Sequence, residues 1–224
     1  MLLTALNWLR TLLFSSPAPC VLEEQRFPRG TDGAPDLACF TRPVDHYIAY
    51  IEDYLMSLEP STSVATLLPK TNSLEGRSHA YQKGVVGQWG LIARGPKDAL
   101  PYILSLLERR VPEARQAAAA VLEGWLRRGV PVDVSAQLLA AAEREGNDKR
   151  ADPETLSALL LVLGRLKHID ALPLFARVLR APDSRVGDLD WSAAEAIAST
   201  AGGAISREGD LRRAADLWLQ KRGV

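Results

Sequence analysis

The chain has 224 residues, of which 47% are hydrophobic and 24% charged, and its 27 Lys and Arg residues balance 27 Asp and Glu residues. This composition is ordinary for a folded globular protein and excludes a disordered or highly basic chain. Between Pro96 and Val224 the numbers of basic and acidic residues also nearly match, 19 against 18. No half of the chain therefore carries the strong positive field typical of a polyanion-binding protein.

The first 43 residues differ in character from the rest of the chain. Apolar residues at positions 2, 3, 6, 9, 12 and 13 fit one face of a short amphipathic helix, which we expect to pack on the protein body. A secretory leader is disfavoured because a basic start is missing and Arg10 interrupts the apolar run. Residues 15–43 are rich in Pro, Gly, Ser and Asp and predict an irregular connection. We therefore expect an N-terminal extension over 1–43 and a helical domain over 44–224.

The two cysteines, Cys20 and Cys39, form no CxxC or CxxH motif. Reduced thiols in a cytoplasmic protein are the expectation, since a Cys20–Cys39 bridge would require export. No stretch reaches 18 consecutive apolar residues, so the sequence predicts no transmembrane helix.

The helical domain begins with a predicted helix after Pro43. Apolar and aromatic residues from Tyr47 to Leu58 recur at helical spacing, and Pro60 ends the run. Residues 61–78 are predicted as a long loop, and "GVVGQWGLIARGP" at 84–96 as the partner helix.

A tetrapeptide, "DALP", occurs at 98–101 and again at 170–173. The aspartate suits a helix N-cap, and a proline in the first turn removes an N–H that has no helical partner anyway. Apolar residues follow Asp98 and Asp170 at the same offsets, two, five, six and nine, and Asp133 begins a similar series. The three aspartates predict three equivalent helix starts, 35 and 37 residues apart.

Each of these helices is followed by a second predicted helix. These span Pro112 to Gly129, Asp152 to Lys167 with Asp152 as cap, and Ser192 to Gly202 with Ser192 as cap. "GDLRRAADLWLQKR" predicts a closing helix. Its apolar residues cover the end of the stack: Leu211, Ala214, Ala215, Leu217 and Trp218. A helix–turn–helix unit repeated about every 36 residues predicts an all-α solenoid of about four stacked pairs. A four-helix bundle is the less favoured alternative.

The segments "DALPYILSLLERRVPEARQAAAAVLEGW" and "DALPLFARVLRAPDSRV…SAAEAIASTAG" resemble HEAT repeats of the short type found in phycobilisome lyases. The resemblance covers about 96–202, with a weaker extension to 44, and implies that second helices line a concave face. Arg115 and Arg185 stand where the family has its arginine. Such an arginine pairs with a carboxylate or carbonyl of the neighbouring turn, or less often contacts a ligand. The middle repeat lacks a clear match for it, and the third has an insertion, "GDLDW".

Aromatic and charged residues in the repeats are the candidates for partner contact, because tryptophan is enriched at binding hot spots. Trp191 lies in the insertion and is the better candidate for an exposed contact, with Arg185, Asp188 and Asp190 near it in sequence. Trp89 and Trp125 occupy equivalent repeat positions and are either contacts or core, with core favoured for Trp125. We take all six residues as the predicted partner-binding set.

Motifs for catalysis are missing from the sequence. His46, His79 and His168 form no HExxH or Cys/His cluster, and no GxSxG, P-loop or GxGxxG motif in its required context occurs. The spacing of Asp183, Asp188 and Asp190 lacks the glycine and glutamate of a calcium loop, so capping and turn formation are expected of them. We expect no catalytic residues, no metal and no cofactor.

The sequence therefore predicts a non-enzymatic protein-protein interaction module, such as an adaptor, scaffold or immunity-type protein. A bacterial source and a cytoplasmic location are also expected. Protein or peptide is the expected partner, and nucleic acid and membrane are not. The alternatives are a bilin-lyase-like enzyme and an alkyl-purine DNA glycosylase-like enzyme. A basic concave face would favour DNA, whereas a neutral or acidic face with exposed aromatic residues would favour protein.

Overall fold

A computed structural model of the chain describes residues 36–58, 74–148, 152–181 and 188–224, and of residues 74–79 it describes the backbone alone. All regular secondary structure in these residues is helical. The chain divides into two compact units, Met1–Tyr102 and Ile103–Val224. The division falls inside a helix that the sequence predicted as one element, and the predicted boundary between residues 43 and 44 stays a prediction.

The first unit contains a helical hairpin of α1, Val44–Leu58, and α2, Leu74–Arg94. Residues of α1 spaced by three or four pack on glycines of α2 spaced by three. A Cβ added to Gly90 would lie 2.1 Å from Tyr47 Cδ1, and one added to Gly84 would lie 2.8 Å from Tyr54 Cδ1. The two helices approach closely because α2 has no side chains at these positions. The hairpin was predicted, but α2 begins at Leu74, inside the predicted loop.

A 3-10 helix, Leu37–Cys39, precedes the hairpin and packs on α2. Cys39 is disulfide-bonded, so the expectation of reduced thiols was wrong for this residue. Cys20, the other cysteine of the chain, and the predicted N-terminal amphipathic helix lie outside the described residues.

The helix α3, Pro96–Leu107, begins in the first unit and ends in the second. The second unit continues with six helices among the described residues: α4, Pro112–Arg127; α5, Ser135–Asn147; α6, Pro153–Arg165; α7, Leu172–Arg180; α8, Leu189–Thr200; and α9, Leu211–Gln220. Helix α6 packs between α4 and α8, while α5 packs on α6 and α7 packs on α8. This is the packing of an α-solenoid, with one row of second helices and first helices laid against it.

Side-chain contacts between neighbouring repeats confirm a period close to 36 residues. Arg144 Nη1 lies 2.8 Å from Glu108 Oε2, and Arg180 Nε lies 2.7 Å from Asp216 Oδ1, both across 36 residues. The four residues themselves follow one another at that interval, Glu108 directly after α3 and the others within α5, α7 and α9. Gln116 donates to Asp152 across the same separation, at 2.8 Å. Equivalent positions therefore meet from one repeat to the next.

The three aspartates of the repeat do not cap helices as predicted. Asp98 lies in the first turn of α3, because that helix begins at Pro96. Asp133 precedes Val134, the N-cap residue of α5, and Asp170 lies in a 3-10 turn, Ile169–Ala171, ahead of α7. Offset five is the position that is buried in all three repeats, at Ile103, Leu138 and Phe175. The other offsets are each half-exposed in at least one repeat, as at Leu100, Leu139 and Leu179.

The predicted caps of the second helices are right for α6 and wrong for α8. Asp152 caps α6, and its carboxylate accepts a hydrogen bond from Thr155 N at 2.8 Å. Burial alone would raise the pKa of this carboxyl, but hydrogen bonds from Thr155 and Gln116 outweigh burial and hold the pKa below its usual value. Helix α8 starts three residues before Ser192, which is buried inside its first turns.

The C-terminal helix α9 packs on α7 and α8, as expected of a closing helix. Ala215 is buried as predicted, whereas Leu217 is 47% exposed, and the buried Leu219 was not among the predicted residues.

Arg115 has the structural role that the HEAT resemblance implies. Its guanidinium group lies 2.6 Å from Glu145 Oε2 and also donates to the carbonyl of Arg109 in the preceding turn. Glu145 in turn accepts a hydrogen bond at 3.0 Å from the backbone N–H of Asp152. Only 5% of the Glu145 side chain and 14% of the Arg115 side chain are exposed. The pair thus joins three successive helices, α4, α5 and the start of α6. Its charged groups are largely shielded from water.

Gly164 sets the distance between α6 and α8, and Gly164→Ala is expected to lower the free energy of unfolding. A Cβ at this position would lie 2.5 Å from Ala196 Cα and 2.8 Å from Ala196 O. These are backbone atoms, so α8 must shift, at about 1–3 kcal/mol. Urea denaturation followed by circular dichroism measures the change.

Gly146→Ala in α5 is the matched control. Its Cβ would have no neighbour closer than 3.5 Å, so the helix propensity of alanine is expected to stabilise the protein by about 0.5–1 kcal/mol. Equal effects of the two substitutions would contradict the close approach of α6 and α8.

Candidate partner-binding face

The three second helices of the second unit lie side by side and parallel. Their N-terminal parts meet where Thr155 Oγ1 lies 3.4 Å from the carbonyl oxygen of Pro112, and where the hydroxyls of Ser157 and Ser192 are 2.7 Å apart. Toward their C-terminal parts, Arg165 Nε of α6 donates to Glu123 Oε1 of α4 at 3.1 Å, and Gly164 of α6 lies against Ala196 of α8. Because both ends correspond, α4, α6 and α8 present neighbouring stripes of side chains.

One side of this row is open to solvent. Ser157 and Ser192 point at each other, and a helix turns about 100° per residue, so Ala158 and Trp191 point to the same side of the row. Exposed or half-exposed residues recur on that side at intervals of three and four. We call this set the second-helix face: Glu113, Ala120, Glu123, Arg127, Glu154, Ala158, Leu161, Arg165, Trp191 and Glu195.

Trp191 is the largest exposed apolar side chain of the second-helix face, with 47% of its surface accessible. It lies in the first turn of α8 and follows Asp190, whose carboxylate accepts a hydrogen bond from the Trp191 N–H at 2.8 Å. The same carboxylate pairs with Arg212 Nε of α9 at 2.9 Å. The backbone that carries the indole is therefore anchored, while the indole itself is left in solvent.

Asp188 precedes α8 in a left-handed conformation, with φ of 55° and ψ of 29°. Its side chain is exposed and makes no capping hydrogen bond, so the capping expected of it is not seen. Asp190 is buried and pairs with Arg212, which makes it a support for Trp191 rather than a contact residue.

The arginines of the second-helix face are engaged by its own carboxylates. Glu123 Oε1 accepts hydrogen bonds from Arg127 Nη2 at 2.8 Å and from Arg165 Nε at 3.1 Å. Glu195 pairs at 2.6 Å with Arg207 from the segment after α8. The face has four carboxylates and two guanidinium groups of its own, so its own charge is negative, whereas phosphate binding needs an excess of cations.

The remaining predicted contact residues are not on this face. Trp125 is completely buried in α4, so its inclusion in the partner-binding set was wrong and the interpretation as core is confirmed. Trp89 is half-buried on α2, in the first unit. Arg185 lies outside the described residues.

Sequence reasoning missed Glu113, Glu154 and Leu161. The available signal was their place, three or four residues apart, on the side of each helix opposite the buried Ala and Leu positions. Residue type could not distinguish the half-exposed Leu161 from its neighbours, since the buried residues around it are also leucines, Leu159, Leu160 and Leu163.

The side chains of two histidines, His46 and His168, lie in the described part of the chain. Within it, no cluster of three or more His, Cys, Asp or Glu side chains could hold a metal ion. His46 is half-buried between Tyr47 and Tyr50, and burial together with the charge of Arg42 lowers its pKa. His168 is half-buried after α6, and the side chain of His79 lies outside the described residues.

Comparison with protein-family models, with curated proteins and with solved structures gave no match. Among the described helices, none is both long enough and apolar enough to cross a membrane.

Proposed function

We propose that the chain is a HEAT-type repeat protein that acts as a non-enzymatic protein-protein interaction module, an adaptor, scaffold or immunity-type protein, through its second-helix face. The observation that carries this proposal is the exposed indole of Trp191, held on an anchored backbone beside other apolar side chains of the face. An exposed aromatic residue on a rigid element is typical of a protein-binding hot spot. Ordered helices flank it, so little entropy is lost on binding.

The charge of the second-helix face favours a protein partner over nucleic acid. Its two arginines both pair with Glu123, Glu195 pairs with Arg207, and the charges of Glu113 and Glu154 repel phosphate. This weighs against the glycosylase-like alternative. A bilin-lyase-like activity would need cysteine and acid groups around a chromophore, and the described part of the face carries no cysteine.

A cytoplasmic location was expected from the sequence and stays a prediction. The disulfide at Cys39 weighs against it, because disulfides are rare in the reducing cytosol.

Capture of partners from a lysate of the source organism tests the proposal. The bait is used as the wild type, as Trp191→Ala and as Leu217→Ala. Leu217 on α9 is the matched control because it is also apolar and also 47% exposed, but it lies outside the second-helix face. We expect one stoichiometric protein, identified by mass spectrometry, on the wild type and on Leu217→Ala, and its loss on Trp191→Ala.

Two results would contradict the proposal. One is recovery of nucleic acid or a chromophore in place of a protein. The other is a protein partner that Trp191→Ala retains as well as the wild type does.

A further inference from the structure

The N-terminal half of the second-helix face combines an apolar surface with two carboxylates that have no ion-pair partner in the described part of the chain. Glu113 and Glu154 lie in the first turns of α4 and α6, and neither forms an ion pair within the described residues. The two are neighbours, because Thr155 Oγ1 contacts the carbonyl of Pro112. Trp191 lies at the same end of α8, next to Ser192, which contacts Ser157 of α6.

Among the residues that the structure describes, no cation forms an ion pair with either of these two carboxylates. Arg115 is turned inward to Glu145, and Arg212 pairs with Asp190. Arg110, in the turn before α4, is exposed and forms no ion pair with either carboxylate. The two arginines of the face itself form ion pairs with Glu123, which is closer to the C-terminal ends of the helices.

The helix dipole explains why glutamates are tolerated here but does not cancel their charge. A carboxylate in a first turn gains about 0.3–1 kcal/mol from the N-terminal end of the dipole. It remains an ion in water, so it still attracts a cation that approaches along the face.

We propose that this half of the face binds a peptide segment of a partner protein in which Lys or Arg residues alternate with apolar residues. Glu113 and Glu154 pair with its cations, while Trp191 contacts its apolar side chains and accepts a cation over the indole ring. A cation–π contact of this kind is present within the chain itself, where the guanidinium group of Arg222 lies 4.2 Å from the ring centre of Trp218. The inference rests on the proposed function and specifies the chemistry of the partner.

The test measures fluorescence anisotropy of a labelled amphipathic peptide of Leu and Lys, and of the same peptide with Glu in place of Lys. The full chain is compared with Glu113→Gln/Glu154→Gln and with Trp191→Ala. The control, Asp133→Asn/Glu143→Gln, removes the same charge from exposed positions off the face. Thermal unfolding by circular dichroism checks that all variants are folded.

We expect the Leu–Lys peptide to bind the wild type and the control alike, more weakly as salt rises. Binding to Glu113→Gln/Glu154→Gln is expected to be about fivefold weaker. Binding to Trp191→Ala is expected to be at least about tenfold weaker. The Leu–Glu peptide is expected not to bind.

Equal binding of the Leu–Lys peptide to the glutamate variant and the control, or binding of the Leu–Glu peptide, would overturn the inference. Failure of the proposed function is separate. Lysate capture can yield a protein whose binding requires Trp191 while the glutamate substitutions leave peptide binding unchanged. In that case only the inference of a cationic partner segment is wrong. If no protein depends on Trp191, the interaction module itself is wrong.

Discussion

Replacing Trp125 with alanine is expected to lower the free energy of unfolding by about 3–5 kcal/mol. The side chain is fully buried in α4, where Leu122 and Val121 of the same helix are also fully buried. Truncation removes the largest fully buried side chain of the described residues and leaves a cavity that the rigid helix row cannot close. Urea denaturation followed by circular dichroism measures the loss without relying on tryptophan emission.

Trp191→Ala is the matched control for this substitution, since it deletes the same side chain from a position that is 47% exposed. Its effect on stability is expected to stay within about 0.5 kcal/mol. A loss below about 1 kcal/mol for Trp125→Ala would contradict its place in the core. The pair also separates stability from binding, because only Trp191→Ala is expected to lose the partner.

Replacing Arg115 with methionine is expected to destabilise the protein by about 3–5 kcal/mol, because Glu145 would be left buried without its ion-pair partner. Glu145 is only 5% exposed, so water does not replace the guanidinium group. The double variant Arg115→Met/Glu145→Met removes both charges. It is expected to lose much less than the sum of the single changes, and a double-mutant cycle from urea denaturation gives the coupling.

Arg144→Met provides the comparison. Arg144 and Glu108 form an ion pair of similar length, 2.8 Å, but their side chains are 52% and 63% exposed. Loss of that pair is expected to cost about 0–1 kcal/mol. If Arg115→Met costs no more than Arg144→Met, the structural role of Arg115 is wrong and a role in ligand contact becomes the better interpretation.

The candidate site was partly visible in the sequence. Trp191 was singled out because it lies in an insertion between an arginine and an alanine-rich helix, and an insertion in a repeat reaches the surface. Its neighbours on the face were not found, because they come from three helices separated by some 36 residues each. Repeat position alone does not predict exposure. Trp89 and Trp125 occupy equivalent repeat positions, yet Trp89 is half-buried and Trp125 has no exposed surface.

Helix type, repeat period and the buried apolar stripe were determined by the sequence alone, because each follows from spacing along one chain. The apolar residues five positions after Asp98, Asp133 and Asp170 lie on the stripe that faces the core, whatever helix lies across from them. The exact helix starts, the pairing of Arg115 with Glu145 and the exposure of Trp191 were decided by the tertiary structure. They depend on what the neighbouring helix brings within hydrogen-bond distance and on which surface it leaves uncovered, and no periodicity within a single helix contains that information.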